Sequence, residues 1–249
     1  MATISISDLL RLAVRGVQQS VSAVFIYWAV TLPVATLIAA SLWWWRSDAP
    51  VDVIDSNTLL FAFITNIVKV SASAVAASLA FSNIGREIDK PIWKGPRGID
   101  AIRRFGPIWF VLYMIPLLVH LLFLVIAMWS GETGYAAQGM LFFLILAGFI
   151  IPVGACFVFT GGFVRSEIAE LLKPLGRNLS ATLLLILFSI FAFGFLSFLQ
   201  TPKGPLSIPF YVAITAIDGY VECLIFAAFW ELCRFDRDHP ASEDDGWDV

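Results

Sequence analysis

The sequence predicts an all-α, polytopic membrane protein, a bundle of six transmembrane helices, and three observations carry that expectation. Six apolar runs, at 21–45, 58–82, 107–129, 139–164, 179–199 and 207–232, follow one another with short polar connections. Each has roughly 20 residues or more, and at about 1.5 Å per residue each can cross a hydrocarbon layer about 30 Å thick. Of the 249 residues, 59% are hydrophobic and 14% charged, with a mean hydropathy of +0.84, which leaves almost no chain for a water-soluble domain. Long unbroken runs also argue against a barrel, whose strands are short and alternating.

Residues 1–20 read as an interfacial amphipathic helix. Ile6, Leu9, Leu10, Ala13, Val14 and Val17 share one face, and Asp8, Arg11, Arg15 and Gln18 the other. Ser5, three residues before Asp8, is placed to cap it. The apolar run that follows is too long for the core of a cleavable signal.

Orientation follows from the bases. With the N-terminus inside, the inner segments carry Arg11, Arg15, Arg86, Lys90, Lys94, Arg97, Arg103, Arg104, Arg165, Lys173, Arg177, Arg234 and Arg237, while the outer loops carry Arg46 and Lys203. The positive-inside rule therefore puts both termini in the cytoplasm, as in a bacterial inner membrane. Outer loops are mildly acidic, with Asp48, Asp52, Asp55 and Glu132. Trp43, Trp44, Trp45 and Trp129 fall at the outer interface, Trp109 and Trp230 at the inner one. The formal net charge of −3 is dominated by the stretch 233–249, where Asp236, Asp238, Glu243, Asp244, Asp245 and Asp248 predict an acidic, disordered cytoplasmic tail.

The three pairs of spans look alike. Asp8-Leu9-Leu10-Arg11 before the first pair is echoed by Asp100-Ala101-Ile102-Arg103 before the second and by Glu170-Leu171-Leu172-Lys173 before the third. Short amphipathic segments are expected at 5–19, 98–105 and 166–175. The pairs close on Arg86-Glu87, Arg165-Ser166-Glu167 and Arg234-Phe235-Asp236, and Pro33 and Pro116 interrupt the first two leading spans. Three parallel hairpins about an approximate threefold axis would give this pattern. The alternative is that any membrane hairpin has basic ends and an apolar middle. This architecture resembles bacterial six-span membrane-domain families, namely the membrane portion of glycerophosphodiester phosphodiesterases and Yip1-like proteins. In the former the hydrolytic chemistry resides in a separate soluble domain, for which this chain has no room. The resemblance carries over no functional residue.

Ionisable groups at bilayer depth are functional candidates by default. Lys69 and Asp218 lie at nearly equal depth, His120 is also near mid-span, and Glu222 follows Asp218 by one turn on the same face. If the second, third and sixth spans are neighbours, Lys69, His120, Asp218 and Glu222 form one cluster, with Asn66, Ser71, Ser73 and Tyr220 as hydrogen-bond partners. Such a cluster is either a proton or ion relay, with Asp218 and Glu222 binding protons and Lys69 as counter-charge, or a buried polar network that fixes helix order. The loop bearing Arg86, Lys90, Lys94, Arg97, Arg103 and Arg104 is the main basic surface, a candidate for lipid headgroups with Trp93 as its anchor. These charges would equally well serve topology alone. Acidic residues among them argue against nucleic acid.

Small residues from Ser71 to Ser78, and Gly148, Gly154, Gly161 and Gly162 around Pro152, predict close helix packing. Cys156, Cys223 and Cys233 have no CxxC spacing and no histidine nearby, so they read as apolar filler, and no metal or cofactor is expected. No GxSxG, HExxH or GxxxxGK[ST] pattern occurs, and no catalytic residue is proposed. The expected function is a non-enzymatic scaffold or accessory component contacting membrane lipids or another membrane protein. The alternative is a proton-coupled small-solute transporter using the Lys/His/Asp/Glu cluster.

Overall fold

The structure, a computed structural model, describes residues 4–46, 56–132, 134–161, 172–199 and 206–239. Among them are eight helices: α1 (Ile6–Gln19), α2 (Val21–Arg46), α3 (Ser56–Ile88), α4 (Gly98–Ser130), α5 (Gly134–Phe159), α6 (Lys173–Arg177), α7 (Leu179–Phe198) and α8 (Ser207–Asp238). Six of them, α2 to α5, α7 and α8, are long and apolar enough to cross a membrane.

These six pack in a closed ring, each against the next, with α8 returning to α2, and the second helix of each pair, α3, α5 and α8, also meets the other two at the centre. That is the contact pattern three parallel hairpins produce. The closing helices supply the small and aromatic residues that fill the middle: Ala74, Ala77 and Phe81 of α3, Ala155 and Val158 of α5, and Phe226 and Trp230 of α8 are all buried. Lipid offers no hydrophobic drive between helices, so close backbone approach and shape fit must hold them. Gly154 and Gly85 provide it. The ring of Trp109 lies where a Gly154 Cβ would be, and Trp230 lies 2.6 Å from where a Gly85 Cβ would be. Phe81 stacks on Phe226 at 4.3 Å and meets Trp109 edge-on at 5.0 Å, the offset and edge geometries aromatic quadrupoles favour.

Ser5 caps α1 as its spacing predicts, its Oγ accepting from the Asp8 backbone N–H at 3.2 Å. The apolar face of α1 lies on α8 and α3, with Leu9, Ala13 and Val17 buried. It covers the bundle's own helices and is therefore a docked helix.

Several boundaries differ from the hydropathy reading. The segment 98–105 is not a separate element but the first two turns of α4, which runs on through Pro107. Residues 166–171 of the third leading segment lie outside the described residues, as do Arg165, Gly162, Lys203, Asp48, Asp52, Asp55 and the tail from 240. The fourth span is shifted: α5 begins at Gly134 and ends at Phe159, just before Gly161 with φ +83°, a left-handed position that stops a helix. The last helix continues past 232 to Asp238, so residues 233–238 are helical and Cys233 is buried. Hydropathy reads the hydrocarbon crossing, whereas the helix ends where polar caps and ion pairs let it.

Candidate functional site

The arginines and lysines of 86–104 and 234–237 gather with Asp89, Asp236 and Asp238 at one end of the bundle, here the basic end. Toward the other end, α2, α3 and α8 diverge around a small cavity. It is lined by Tyr27, Thr31 and Ile38 of α2, Lys69 and Ser73 of α3, and Tyr211, Thr215 and Asp218 of α8, among others. Measured over the positions a water centre can occupy it is about 20 Å³, room for about one water molecule. Depth brings the charges together: Lys69 lies nine residues into its span from Leu60 and Asp218 eleven from Ser207, roughly 14 and 16 Å along their axes.

Two contacts close the cavity's floor. Trp28 Nε1 donates to the Ala216 carbonyl at 2.9 Å, pinning α2 to α8. Gly219 lets the Tyr27 ring lie against α8, 2.7 Å from where a Cβ would stand. The Tyr27 ring thus faces the cavity while its hydroxyl reaches Glu222, to which it donates at 2.5 Å. Tyr113 of α4 donates to the same Oε2 at 2.7 Å. Glu222, 7% exposed, therefore ties α8 to both α2 and α4, and its Oε2 accepts two phenol protons in a medium where such bonds are strong.

Lys69 and Asp218 are placed otherwise. Each is within electrostatic reach of the other, and Lys69 also of Tyr211 and Glu222. Yet among the described residues neither Lys69 nor Asp218 makes an ion pair within 4.0 Å or a side-chain hydrogen bond. Opposite charges line one cavity without meeting.

The fourth cluster candidate, His120, is elsewhere. It packs on Phe143 of α5 with ring centroids 5.8 Å apart, and its Nδ1 is buried with no hydrogen-bond partner among the described residues. The reason is helix order, since α4 packs against α3 and α5 and turns this stretch toward α5. Among the expected polar helpers, Ser73 lines the cavity. Asn66 and Ser71 instead donate to their own helix, at Ala62 and Ile67, and Tyr220 is 40% exposed. Sequence reasoning misses Tyr27, Tyr113, Thr31, Tyr211 and Thr215. Tyrosine ordinarily sits at the membrane interface, so Tyr27 and Tyr113, each six residues inside the inner end of its run and with a hydroxyl that needs a partner, are the readable signal.

At the basic end, some charges are paired among the described residues and others are not. Asp89 accepts from Arg237 Nη1 at 2.6 Å and Nη2 at 3.0 Å, a bidentate fork. Arg86 donates to the Pro96 carbonyl and to Asn83 Oδ1, Arg104 Nε to the Gly161 carbonyl, and Lys90 pairs with Glu87. Arg86 is half-buried, whereas Lys90 and Arg104 make these contacts while remaining exposed. Lys94, Arg97 and Arg103 are exposed, beside Ile92 and Ile99, both 67% exposed. Trp93, expected as a headgroup anchor, instead meets Trp230 edge-on at 4.8 Å.

Six apolar crossing helices with a polar cavity and a carboxylate latch among them define an integral, multi-pass membrane protein of all-α class. No family model, curated protein or solved structure matches the chain.

Proposed function

We propose that this protein is a non-enzymatic, proton-coupled transporter of a small polar solute, seated in a bacterial inner membrane with both termini cytoplasmic. The observation that supports it is the cavity between α2, α3 and α8, into which Lys69 and Asp218 project without pairing, with Glu222 latched by two tyrosines below. A network serving packing alone would be expected to pair its charges, because an unpaired charge at bilayer depth is costly. In this reading a solute meets Lys69 and Asp218, and Glu222 exchanges a proton when Tyr27 shifts. His120 has no part in it. Proteoliposomes holding a pH-sensitive dye test it: addition of the transported solute should move protons, and Asp218→Asn or Glu222→Gln should abolish the signal. Protein that is folded and yet moves no protons with any small polar solute, or variants that transport as well as the parent, would overturn it.

A second reading, a scaffold or accessory component with lipid contacts, is favoured by the basic end. There Lys94, Arg97 and Arg103 stand exposed beside exposed Ile92 and Ile99, a combination suited to an anionic headgroup layer. Weakened retention of phosphatidylglycerol by a triple Lys94/Arg97/Arg103→Gln variant would support it.

A further inference from the structure

The cavity's chemistry narrows the solute. Its charged groups are one ammonium, Lys69, on α3 and one carboxylate, Asp218, on α8, held on separate walls. A simple anion would satisfy the first and leave the second facing a like charge. A simple cation would do the reverse. A molecule carrying both charges on a short frame satisfies the two together, its carboxylate on Lys69 and its ammonium on Asp218.

The hydroxyls around the charges agree. Thr31 donates to the Tyr27 carbonyl and Thr215 to the Tyr211 carbonyl, each at 2.9 Å within its own helix. Their oxygens are left as acceptors, which suits an ammonium. The phenol of Tyr211 lies within electrostatic reach of Lys69 and can donate to a carboxylate beside it. The cavity walls are otherwise small or aliphatic, including Ala35, Ala72 and Val34, so there is no slot for a long side chain. From this arrangement we infer that the cavity between α2, α3 and α8 binds a small zwitterion of the glycine or β-alanine size class.

The cavity now has room for about one water, so binding requires one wall to move. Pro33 lies inside α2 between the lining residues Thr31 and Val34. Its missing N–H removes a helix hydrogen bond there, the usual cause of a bend. Val34, Ala35 and Ile38 lie beyond Pro33, whereas Tyr27 lies before it and is held on Glu222, so a bend at Pro33 is the movement by which the wall can open.

This inference rests on the transporter reading for its purpose but not for its test. Binding is measured by calorimetry on the full-length protein in nanodiscs, with glycine and β-alanine compared against acetate and methylamine. A zwitterion should bind about tenfold or more tighter than either single-charge probe, and Lys69→Met and Asp218→Asn should each weaken it by a similar factor. The exchange variant, Lys69→Asp with Asp218→Lys, should regain part of the affinity, and thermal unfolding reports whether each variant is folded. Acetate or methylamine binding as well as glycine, no zwitterion binding by folded parent protein, or equal binding by both single variants and the parent would overturn the inference. Zwitterion binding without flux in proteoliposomes would leave it standing and remove the transporter reading. Flux of some other solute without zwitterion binding would do the opposite.

Discussion

Asp89 and Asp218 are both carboxylates beside apolar surroundings, yet they are treated in opposite ways. Asp89 is 2% exposed and held by both terminal nitrogens of Arg237, with Arg234 Nε at 4.0 Å. Asp218 faces a cavity across from Lys69 and has no direct partner among the described residues. The same contrast extends to their surroundings. Around Asp89 the helices are locked by Trp93 on Trp230, Phe159 on Trp230 and Phe81 on Phe226. Around Asp218 the lining is rich in hydroxyls, from Tyr27, Thr31, Ser73, Tyr211 and Thr215, and encloses a cavity with room for about one water. A region whose charges are paired and whose rings pack on one another is a stator, even though the buried Trp109 and Trp230 indole N–H groups find no acceptor among the described residues, and a region with unpaired charges is where a ligand can act.

The comparison can be broken first at the stator. Arg237→Met leaves Asp89 buried without its fork, and unfolding in detergent should show a loss of about 3 kcal/mol; an unchanged midpoint would mean Arg234 alone suffices. Packing gives the next effect. Gly154→Ala drives a methyl into Trp109 and should cost about 2 kcal/mol, whereas Gly194→Ala, whose nearest neighbour would be Leu144 Cδ1 at 3.8 Å, should stay within about 0.5 kcal/mol. Between the two regions stands Glu222. Tyr27→Phe and Tyr113→Phe should each cost about 1–2 kcal/mol, and the double variant should show coupling, since both phenols donate to one oxygen. Smallest in stability is Lys69→Met. Removing an unpaired ammonium at mid-depth should change the unfolding midpoint little or raise it, while abolishing solute binding; a loss as large as that of Arg237→Met would place Lys69 in the stator.

Much of this architecture is legible in the amino-acid sequence. Six spans, the Ser5 cap and the shared depth of Lys69, Asp218 and Glu222 all follow from periodicity and rise per residue, and the ring of hairpins agrees with the repeated Asp/Glu-x-x-Arg/Lys segments. What periodicity does not carry is azimuth, the direction a side chain faces around its helix axis. His120 matches the cluster in depth and misses it in direction, because nothing in the local sequence says that α4 turns this stretch toward α5. Tyr27 and Tyr113 escape notice for the same reason: depth alone does not say that two phenols converge on one carboxylate. Helix ends fail differently. Residues 83–88 and 233–238 are polar enough to end a hydropathy run, yet the Asp89–Arg237 fork and the Arg234 bond to the Ile88 carbonyl lie at those ends and hold them.

The central claim is that one half of the bundle admits water and solute to its charges and the other does not. With Cys156, Cys223 and Cys233 replaced by alanine, single cysteines at Thr215, in the cavity, and at Ala227, fully buried beneath it, can be tested with a small membrane-impermeant thiol reagent. The account predicts that Thr215→Cys reacts at least about tenfold faster than Ala227→Cys and that glycine slows it. Equal rates at the two positions, or a cavity cysteine that never reacts in folded protein, would contradict it.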